Sequence, residues 1–347
     1  MIPLRLNEDQ FHYKGMIGVG GIGSGKFITL EGNHTLGREE SRFGHFLDTR
    51  DYCKLHIISY YVRTLLGPSF KSVLIGKVGD DEIGRLITQE MEETGLDIRH
   101  VIASPGESTL FGICFTYPDG SGGNLTENHS ACSKVDPNFV AQSETEFDRF
   151  AGQAVALAAP EVPLEARKYL LELGTKYNSF RVASFNSSEM MDILEIDILP
   201  LIDLLAINIE EAAAVCGRST DHAAPSDIVD SAITKLCEQN RDMLISITAG
   251  KNGSWSWDGC DLIHHPAYET QVVSTAGAGD AYLAGVIVGL VAGLDFSQAA
   301  GLGSLVAALS VTSPHTIHPH IDRISLLDFA QRQAELPDAV EALLVDE

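Results

Sequence analysis

The feature that most constrains this fold is a regular alternation of apolar runs and amphipathic segments between residues 154 and 248. Residues 154–158 are all apolar, as in a buried strand, and residues 164–176 show helical spacing. The same reasoning predicts further strands at 180–185, 203–207 and 243–248, with helices at 209–216 and 228–240. Strands that alternate with helices in this way predict an α/β protein with a mostly parallel, doubly wound sheet.

The N-terminal part of the chain contributes more strands and two segments of a different character. Its pattern predicts strands at 16–21, 72–79 and 109–117 and helices at 53–66 and 80–94. Residues 27–52 and 105–135 are polar and rich in turns, and they lack a helical stripe. We expect these two segments to form a small separate layer over an edge of the sheet.

Composition limits the partners and the compartment. The 347 residues carry a formal net charge of −24, which argues against general binding to nucleic acid or to anionic membranes. Six cysteines without a C-x-x-C pair, and an N-terminus without the apolar run of a signal peptide, predict reduced thiols in a cytoplasmic protein. The longest apolar run, residues 281–294, is shorter than the roughly 20 residues of a membrane helix, so we expect a core helix there.

A glycine-rich stretch directly before that apolar run is the strongest candidate for a reactive site. Ser274-Thr275-Ala276-Gly277-Ala278-Gly279-Asp280 predicts a tight loop that leads into a helix N-terminus. Free N–H groups in the first turn would bind an anion there, such as a phosphate. Asp280 then has two readings of equal weight, a base beside the anion site or a simple N-cap of the helix.

Two further motifs follow predicted strands. Asn208 ends one strand and Glu211 lies one helical turn later, so their oxygens suit a hydrated magnesium ion or an ordinary helix cap. Thr248, Gly250 and Gly253 form a turn between two strands, which taken alone is an ordinary β-turn-β element.

A competing motif lies at the first predicted strand. Gly18-Val19-Gly20-Gly21-Ile22-Gly23 fits the G-x-G-x-x-G fingerprint of nicotinamide-dependent dehydrogenases. Gly20 to Lys26 nearly fits a P-loop, but Phe27 replaces the Ser or Thr that binds magnesium. Both motifs require a helix next, whereas the following residues predict a strand, so we treat both as false positives and keep the dehydrogenase as the least favoured alternative.

Taken together and in order, the motifs resemble the PfkB, or ribokinase-like, family of carbohydrate kinases over roughly residues 15–330. The matching segments are T-x-G-A-G-D at Thr275 to Asp280, N-x-x-E at Asn208 to Glu211, T-x-G-x-x-G at Thr248 to Gly253 and a G-x-D-x-x-G-like segment at Lys77 to Gly84. The resemblance implies a single ribokinase-like α/β domain over residues 1–347, with residues 27–52 and 105–135 forming a small β lid.

The resemblance also implies a reaction and its residues. It implies transfer of the γ-phosphate of ATP, with Mg²⁺, to a hydroxyl of a sugar or sugar-like small molecule. Asp280 would be the general base and would be ionised at neutral pH, since a free Asp has a pKa of about 3.9. The remaining implied roles are an anion hole at Gly277, Ala278 and Gly279, a magnesium site at Asn208 and Glu211 through water, and nucleotide contacts at Thr248, Gly250, Gly253 and Thr275.

The departures from the family pattern concern the phosphate acceptor. Gly23 and Gly25 occupy the positions of an Asn and an Asp that hold sugar hydroxyls in the family, and the usual Gly-Gly-Lys-Gly-x-Asn motif is absent near Cys53. Glu161 matches a substrate-contacting acid, while Ser274 replaces the Asp associated with a monovalent-cation site. The acceptor stays open, and a family member that binds nucleotide or ligand without phosphoryl transfer is the alternative. A homodimer through the lid is expected by analogy.

Overall fold

The computed structural model describes residues 1–119, 122–220, 223–333 and 336–345, and its strands form two separate sheets. The strands are β1 (Gly15–Val19), β2 (Gly23–Leu30), β3 (Gly44–Tyr52), β4 (Lys71–Gly79), β5 (Asp97–Ser104), β6 (Leu110–Thr116), β7 (Gly122–Thr126), β8 (Ala154–Ala158), β9 (Phe180–Ala183), β10 (Leu204–Asn208), β11 (Leu244–Thr248), β12 (Ser254–Trp257) and β13 (Leu262–His265). The helices are α1 (Lys54–Leu66), α2 (Glu82–Thr94), α3 (Pro137–Ala141), α4 (Glu144–Phe150), α5 (Leu164–Lys176), α6 (Ile209–Cys216), α7 (Pro225–Cys237), α8 (Ala278–Val291), α9 (Phe296–Ser310), α10 (Arg323–Ala330) and α11 (Asp338–Glu341).

The large sheet has nine strands in the order β13-β12-β11-β10-β9-β8-β1-β4-β5. Neighbouring strands from β11 to β5 run parallel, and β12 and β13 add an antiparallel edge. The predicted mostly parallel, doubly wound sheet is therefore confirmed.

Helices cover both faces of the large sheet, which explains why its central strands are apolar throughout. Met16 of β1 packs into a core with α1, α2, α8 and α9, while its neighbours Ile17 and Val19 pack into a second core with α5, α6 and α7. Successive side chains of a strand point to opposite faces, so a strand between two helical layers needs apolar residues at every position. Residues 154–158 meet this condition, since all five are buried.

The small sheet has four strands in the order β3-β2-β6-β7. Strand β2 pairs antiparallel with β3 and parallel with β6, and β6 pairs antiparallel with β7. These strands come from the two polar segments that the sequence assigned to a separate layer. The layer begins earlier than predicted, at Gly23 instead of residue 27, because the glycine turn at residues 20–22, after β1, leads directly into β2.

Several predicted boundaries are wrong by a few residues, and some elements were not predicted. Helix α9 begins at Phe296 behind the cap Asp295, and the helix expected at 228–240 spans residues 225–237. Strands β5 and β13 escaped prediction because they lie at sheet edges, where partly exposed positions break the apolar pattern. The apolar run at 281–294 is the buried helix α8, as expected. Within the described ranges, no helix has the length and apolarity needed to cross a bilayer.

Candidate active site

The sequence motifs meet at the carboxyl ends of the parallel strands. Asn208, the last residue of β10, is paired in register with Thr248, the last residue of β11, so motifs 40 positions apart lie side by side. On the other half of the sheet, the Gly21 N–H donates to the Pro160 carbonyl at 2.9 Å and brings the first glycine turn beside Glu161. Ligands of open α/β sheets bind at this edge.

The loop before α8 owes its shape to Gly277. This residue caps the helix with φ of +76°, and a Cβ built on it would lie 2.6 Å from the Thr316 carbonyl oxygen. Only glycine satisfies both conditions without strain. Asp280 is the third residue of the helix and not its N-cap, so the reading of Asp280 as a simple cap is wrong.

The first turn of α8 has the geometry of an anion site. The Ala278 N–H donates to the Thr275 carbonyl at 3.2 Å, while the N–H groups of Gly279 and Asp280 precede the first hydrogen bond within the helix, from Ala281 to Gly277. A Cβ built on Gly279 would meet no atom within 4 Å. The packing therefore does not require glycine at this position, and the space above it is free for a ligand.

Asp280 is held in a strongly acidic environment. Burial raises its pKa from 3.8 to about 7, Lys54 opposes the shift, and Glu161, Glu211 and Asp51 add to it. The expectation of a fully ionised Asp280 at neutral pH is therefore wrong for the ligand-free protein, because burial makes ionisation costly and the neighbouring carboxylates add to this cost. A carboxyl group with a pKa near the working pH is well matched to proton transfer.

Asn208 and Glu211 form a capping box at the start of α6. The Glu211 N–H donates to Asn208 Oδ1 at 2.9 Å, and the Asn208 N–H donates to Glu211 Oε2 at 2.8 Å. The capping interpretation is thus correct, but it uses only one carboxylate oxygen. Oε1 of Glu211 lies 3.9 Å from Lys54 Nζ, the side chain is buried, and its pKa is raised by burial.

The turn after β11 brings two glycines with positive φ to the same edge. Gly250 has φ of +55° and open space around its Cβ position, and Gly253 has φ of +82° with the His265 carbonyl oxygen 2.1 Å from its Cβ position. The Ala249 N–H donates to the Gly253 carbonyl and closes the turn. Gly253 is needed for the approach of β13, whereas the surface over Gly250 is open.

Two cavities meet at the loop before α8. The first, the α9 cavity, measures about 1330 Å³ and lies between residues 264–273, α9 and α10. The second, the inter-sheet cavity, measures about 790 Å³ and lies between the small sheet and the carboxyl edge of the large sheet. Val273 lines both, and Asp280 lines the inter-sheet cavity. A ligand that extends from one cavity into the other would pass the N-terminus of α8.

Glu161 faces the inter-sheet cavity in a strained conformation. Its φ is +74°, which is unusual for a residue with a side chain, and its Oε2 atom is buried without a hydrogen-bond partner. A Cβ on Gly21 would lie 2.6 Å from that oxygen, so Gly21 makes room for the carboxylate. Burial raises the pKa of Glu161. Strain and an unpaired carboxyl oxygen in one residue are typical of a binding group.

The glycines of the first turn serve the small sheet. A Cβ on Gly23 would lie 2.4 Å from the Leu110 carbonyl oxygen, and a Cβ on Gly25 would lie 2.8 Å from that of Gly112. Strand β2 begins at Gly23 itself, so the segment from Gly18 is followed by a strand and not by a helix. The fingerprint therefore lacks the helix N-terminus that a dinucleotide needs.

Two charged residues of the inter-sheet cavity were missed by the sequence analysis. Asp51 lies near the end of β3, and Lys54 is the first residue of α1. Burial lowers the pKa of Lys54, but Asp280, Glu211 and Glu161 more than offset this, and the net pKa is raised. A single acid and a single lysine in a segment without a recognised motif give no sequence pattern that points to a site. Their position between a polar segment and a helix is the only signal that the sequence offers.

Comparison with known proteins is consistent with this geometry. The profile of the family described as pfkB family carbohydrate kinase matches residues 62–323. A 2-dehydro-3-deoxygluconokinase of Bacillus subtilis is 24% identical over 307 residues, which cover 82% of this chain and 91% of that protein.

Solved structures share the fold. Ribokinase from Giardia lamblia superposes with a TM-score of 0.76 at 16% identity, covering 90% of this chain and 99% of that one. Ribokinase from Arabidopsis thaliana complexed with ribose and ATP gives a TM-score of 0.68 at 19% identity, with coverages of 90% and 98%. The protein is a ribokinase-like α/β enzyme, and the chain belongs to the pfkB family of carbohydrate kinases.

Proposed function

We propose that this carbohydrate kinase transfers the γ-phosphoryl group of ATP to a hydroxyl group of a sugar or sugar-like acceptor bound in the inter-sheet cavity. The observation that carries the proposal is the position of Asp280. Its carboxyl group lies in the first turn of α8, beside the anion site, and lines the cavity that is left for the acceptor.

The reaction needs one base and one anion site. Asp280 in its ionised form accepts the proton of the acceptor hydroxyl while the hydroxyl oxygen attacks the γ-phosphorus and the bond to the ADP oxygen breaks. The N–H groups of Gly277, Gly279 and Asp280 at the positive end of the α8 dipole stabilise the charge on the transferring group. The Ala278 N–H, expected to join them, is already bonded to the Thr275 carbonyl and has no part in this role. General-base catalysis of this kind contributes about 10²- to 10⁴-fold.

The nucleotide is assigned to the α9 cavity. Gly253, in the turn that also holds Thr248 and Gly250, packs against the carbonyl of His265, and His265 lines this cavity. Thr275 lines the inter-sheet cavity, two residues after Val273, which lines both cavities. The open space at Gly250 and Gly279 is what a close phosphate or nucleoside requires.

Magnesium is assigned to Asn208 and Glu211. Oxygen ligands and a raised carboxyl pKa fit a hydrated divalent cation bound through water, since a cation would relieve the crowding of acids. Mg²⁺ supplies charge neutralisation on the phosphates when it is bound. The part of the chain that the structure describes contains no group of three or more His, Cys, Asp or Glu side chains able to hold a metal by themselves. Ser274 Oγ accepts a hydrogen bond from the Ala276 N–H at 3.3 Å, and the proposal includes no monovalent cation.

The small sheet is assigned two roles, a lid over the acceptor and a dimer interface. Its inner face lines the inter-sheet cavity, while Phe46 and Leu125 on its outer face are 58% and 61% exposed. Lys26 lies 5.8 Å from the Phe46 ring and is paired in register with Ile113, which in turn is paired with Leu125. These residues therefore share one face, and an apolar outer face fits a second copy of the chain.

The proposal is tested by phosphoryl transfer from γ-labelled ATP. Wild-type protein with Mg²⁺ is incubated with a panel of sugars, polyols and nucleosides, and labelled product is separated from ATP. We expect transfer to at least one acceptor and a loss of at least about 100-fold in Asp280→Asn.

Asp295→Asn is the matched control, because Asp295 caps α9 and Asn is an equally good cap. Nucleotide binding without transfer to any acceptor would favour the alternative of a binding protein, and full activity of Asp280→Asn would refute the assigned base.

A further inference from the structure

Asp51 occupies a position in the small sheet that the neighbouring strand leaves free. Asp51 of β3 is paired in register with Gly25 of β2, and a Cβ built on Gly25 would lie 2.9 Å from the Asp51 Cβ. A side chain at position 25 would therefore collide with that of Asp51. Because Gly25 has none, the Asp51 side chain can lie over β2 and line the inter-sheet cavity.

The Asp51 carboxylate is oriented by two donors from different parts of the fold. Thr316 Oγ1 donates to Oδ1 at 3.0 Å, and Cys114 Sγ donates to Oδ2 at 3.1 Å. The Thr316 carbonyl is also the atom that lies against Gly277 at the N-terminus of α8. Each carboxylate oxygen can accept more than one hydrogen bond, so Asp51 keeps acceptor capacity for a ligand. The carboxylate is thus fixed relative to the loop that carries Asp280.

The charges around the inter-sheet cavity are unbalanced toward acid. The charged side chains among its described lining residues are Asp51, Lys54, Glu161 and Asp280. Lys54 is the one cation among them, and its Nζ atom also lies 3.9 Å from Oε1 of Glu211. A carboxylate on the acceptor would meet three acids and a lysine that already has anionic neighbours. Hydroxyl groups, in contrast, would find carboxylate oxygens ready to accept hydrogen bonds.

We propose that Asp51 binds hydroxyl groups of the acceptor, and that the inter-sheet cavity selects an uncharged polyhydroxy acceptor over a sugar acid with the same carbon skeleton. This inference rests on the proposed function for the reaction, but the charge selection itself is a property of the cavity. A hydrogen bond from an acceptor hydroxyl is stronger to the Asp51 carboxylate than to a neutral oxygen.

The first test uses acceptors that differ only in one terminal group. Alditols and the corresponding aldonic acids, such as D-glucitol with D-gluconate and xylitol with xylonate, are compared by ADP formation with wild type, Asp51→Asn and Asp48→Asn. Asp48 lies exposed on the same strand and is the matched control. We expect the uncharged member of a pair to be the better substrate, and Asp51→Asn to raise its KM at least about tenfold with a smaller change in kcat.

A sugar acid preferred by wild type would overturn the inference, as would an unchanged KM in Asp51→Asn. If Asp51 has only a structural role, Asp51→Asn should lower the melting temperature without raising KM more than it changes kcat. Failure of every member of every pair counts against the proposed function only if the whole panel of sugars, polyols and nucleosides also fails, and the charge selection is then decided by the second test.

The second test does not depend on turnover. Cys114 is half-buried at the inter-sheet cavity beside Asp51, so its alkylation reports the local charge. Iodoacetamide and iodoacetate are compared on the Cys114 peptide by mass spectrometry, with N-acetylcysteine amide as the solution reference. Burial and Asp51 raise the pKa of this thiol, but that effect is common to both reagents and cancels in their ratio.

We expect the neutral reagent to be favoured at Cys114 by at least about tenfold relative to the reference, a difference of about 1.4 kcal/mol. Asp51→Asn should reduce this discrimination several-fold, and Asp48→Asn should leave it unchanged. Equal discrimination at Cys114 and in the reference would overturn the inference, whatever the outcome of the kinase assay.

Discussion

The side of this site that we assign to the nucleotide and the side that we assign to the acceptor are built in different ways. The nucleotide side consists of short continuous segments, the turn from Thr248 to Gly253 and the loop from Thr275 to Asp280, each at the end of a strand or the start of a helix. The acceptor side is assembled from single residues. Asp51 and Lys54, which are three residues apart, Glu161 and Thr316 come from three separate parts of the chain.

The difference follows from the groups that do the binding. Phosphate is bound mainly by backbone N–H groups, and a local segment with glycines determines where these point. A polyhydroxy acceptor is bound by side-chain oxygens, and any strand or loop that reaches the cavity can supply them. Motifs therefore persist on the nucleotide side, while the acceptor side can be rebuilt without leaving a continuous pattern.

The sharpest way to separate the two sides is a pair of glycine substitutions in the loop before α8. Gly277→Ala should destabilise the protein by about 2–4 kcal/mol, because its φ is +76° and its Cβ would collide with Thr316. Gly279→Ala should leave stability unchanged or raise it by about 0.5 kcal/mol, as in any helix. Turnover of Gly279→Ala should nevertheless fall about 100-fold, since its methyl group occupies the space for phosphate.

The measurements are urea denaturation and initial rates at saturating ATP. Wild-type turnover in Gly279→Ala would show that phosphate does not approach this turn. Equal loss of stability in both variants would show that Gly279 serves the fold.

The next prediction concerns the pH dependence set by Asp280. With a pKa of about 7, Asp280 is protonated in a growing fraction of molecules at lower pH, so kcat/KM should fall about tenfold per unit on the acid side. Its pKa in the folded state is above that in the unfolded chain. The folded state therefore binds the proton more tightly, and the free energy of unfolding rises as pH falls from 7 toward 4.

Above pH 7 the ionised Asp280 destabilises the protein by as much as about 4 kcal/mol. Asp280→Asn should thus be more stable than wild type at pH 8, with a difference that shrinks by pH 5. Urea denaturation at both pH values measures this, with Asp295→Asn as control. A pH-independent difference would contradict the raised pKa.

Lys54 links the two sides, and its removal should have a smaller effect. Its positive charge lowers the pKa of Asp280, Glu161 and Glu211. In Lys54→Met the acid limb of the pH–rate profile should move up by about one pH unit, with kcat/KM at pH 7 reduced about fivefold. In Lys54→Arg, which keeps the positive charge, the acid limb of the pH–rate profile should return to its wild-type position. A loss of turnover without a shift of the limb would assign Lys54 to substrate contact alone.

The smallest effect on turnover is expected at the outer face of the small sheet. If this face joins two copies, the double change Phe46→Ser and Leu125→Ser should convert a dimer to a monomer in sedimentation, with turnover within about twofold of wild type. Ile102→Ser, at an exposed position on β5, is the control. A monomeric wild-type protein, or an unchanged dimer in the double variant, would show that this surface is not a dimer interface.

The sequence was most informative where one element determines the outcome. The strand at 154–158 and the helix at 164–176 are observed with the predicted bounds. The strand is buried on both faces and is therefore apolar throughout, and the helix is buried along one stripe and therefore shows helical spacing of its apolar residues. The edge strands β5 and β13 lack such a pattern and were missed. The ionisation of Asp280 was predicted wrongly, because its pKa is raised by burial and by Glu161, Glu211 and Asp51, which are distant in sequence.

The sequence by itself therefore determined the doubly wound sheet, the family and the loop that leads into α8. Local conformation depends on the periodicity of apolar residues and on the positions of glycines, and both can be recognised in the sequence. The tertiary structure alone decided that Asp51 lies across from Gly25, that Lys54 faces three carboxylates, and that Asp280 shares their field. Electrostatic interactions depend on distances through space, and only the folded chain sets those distances.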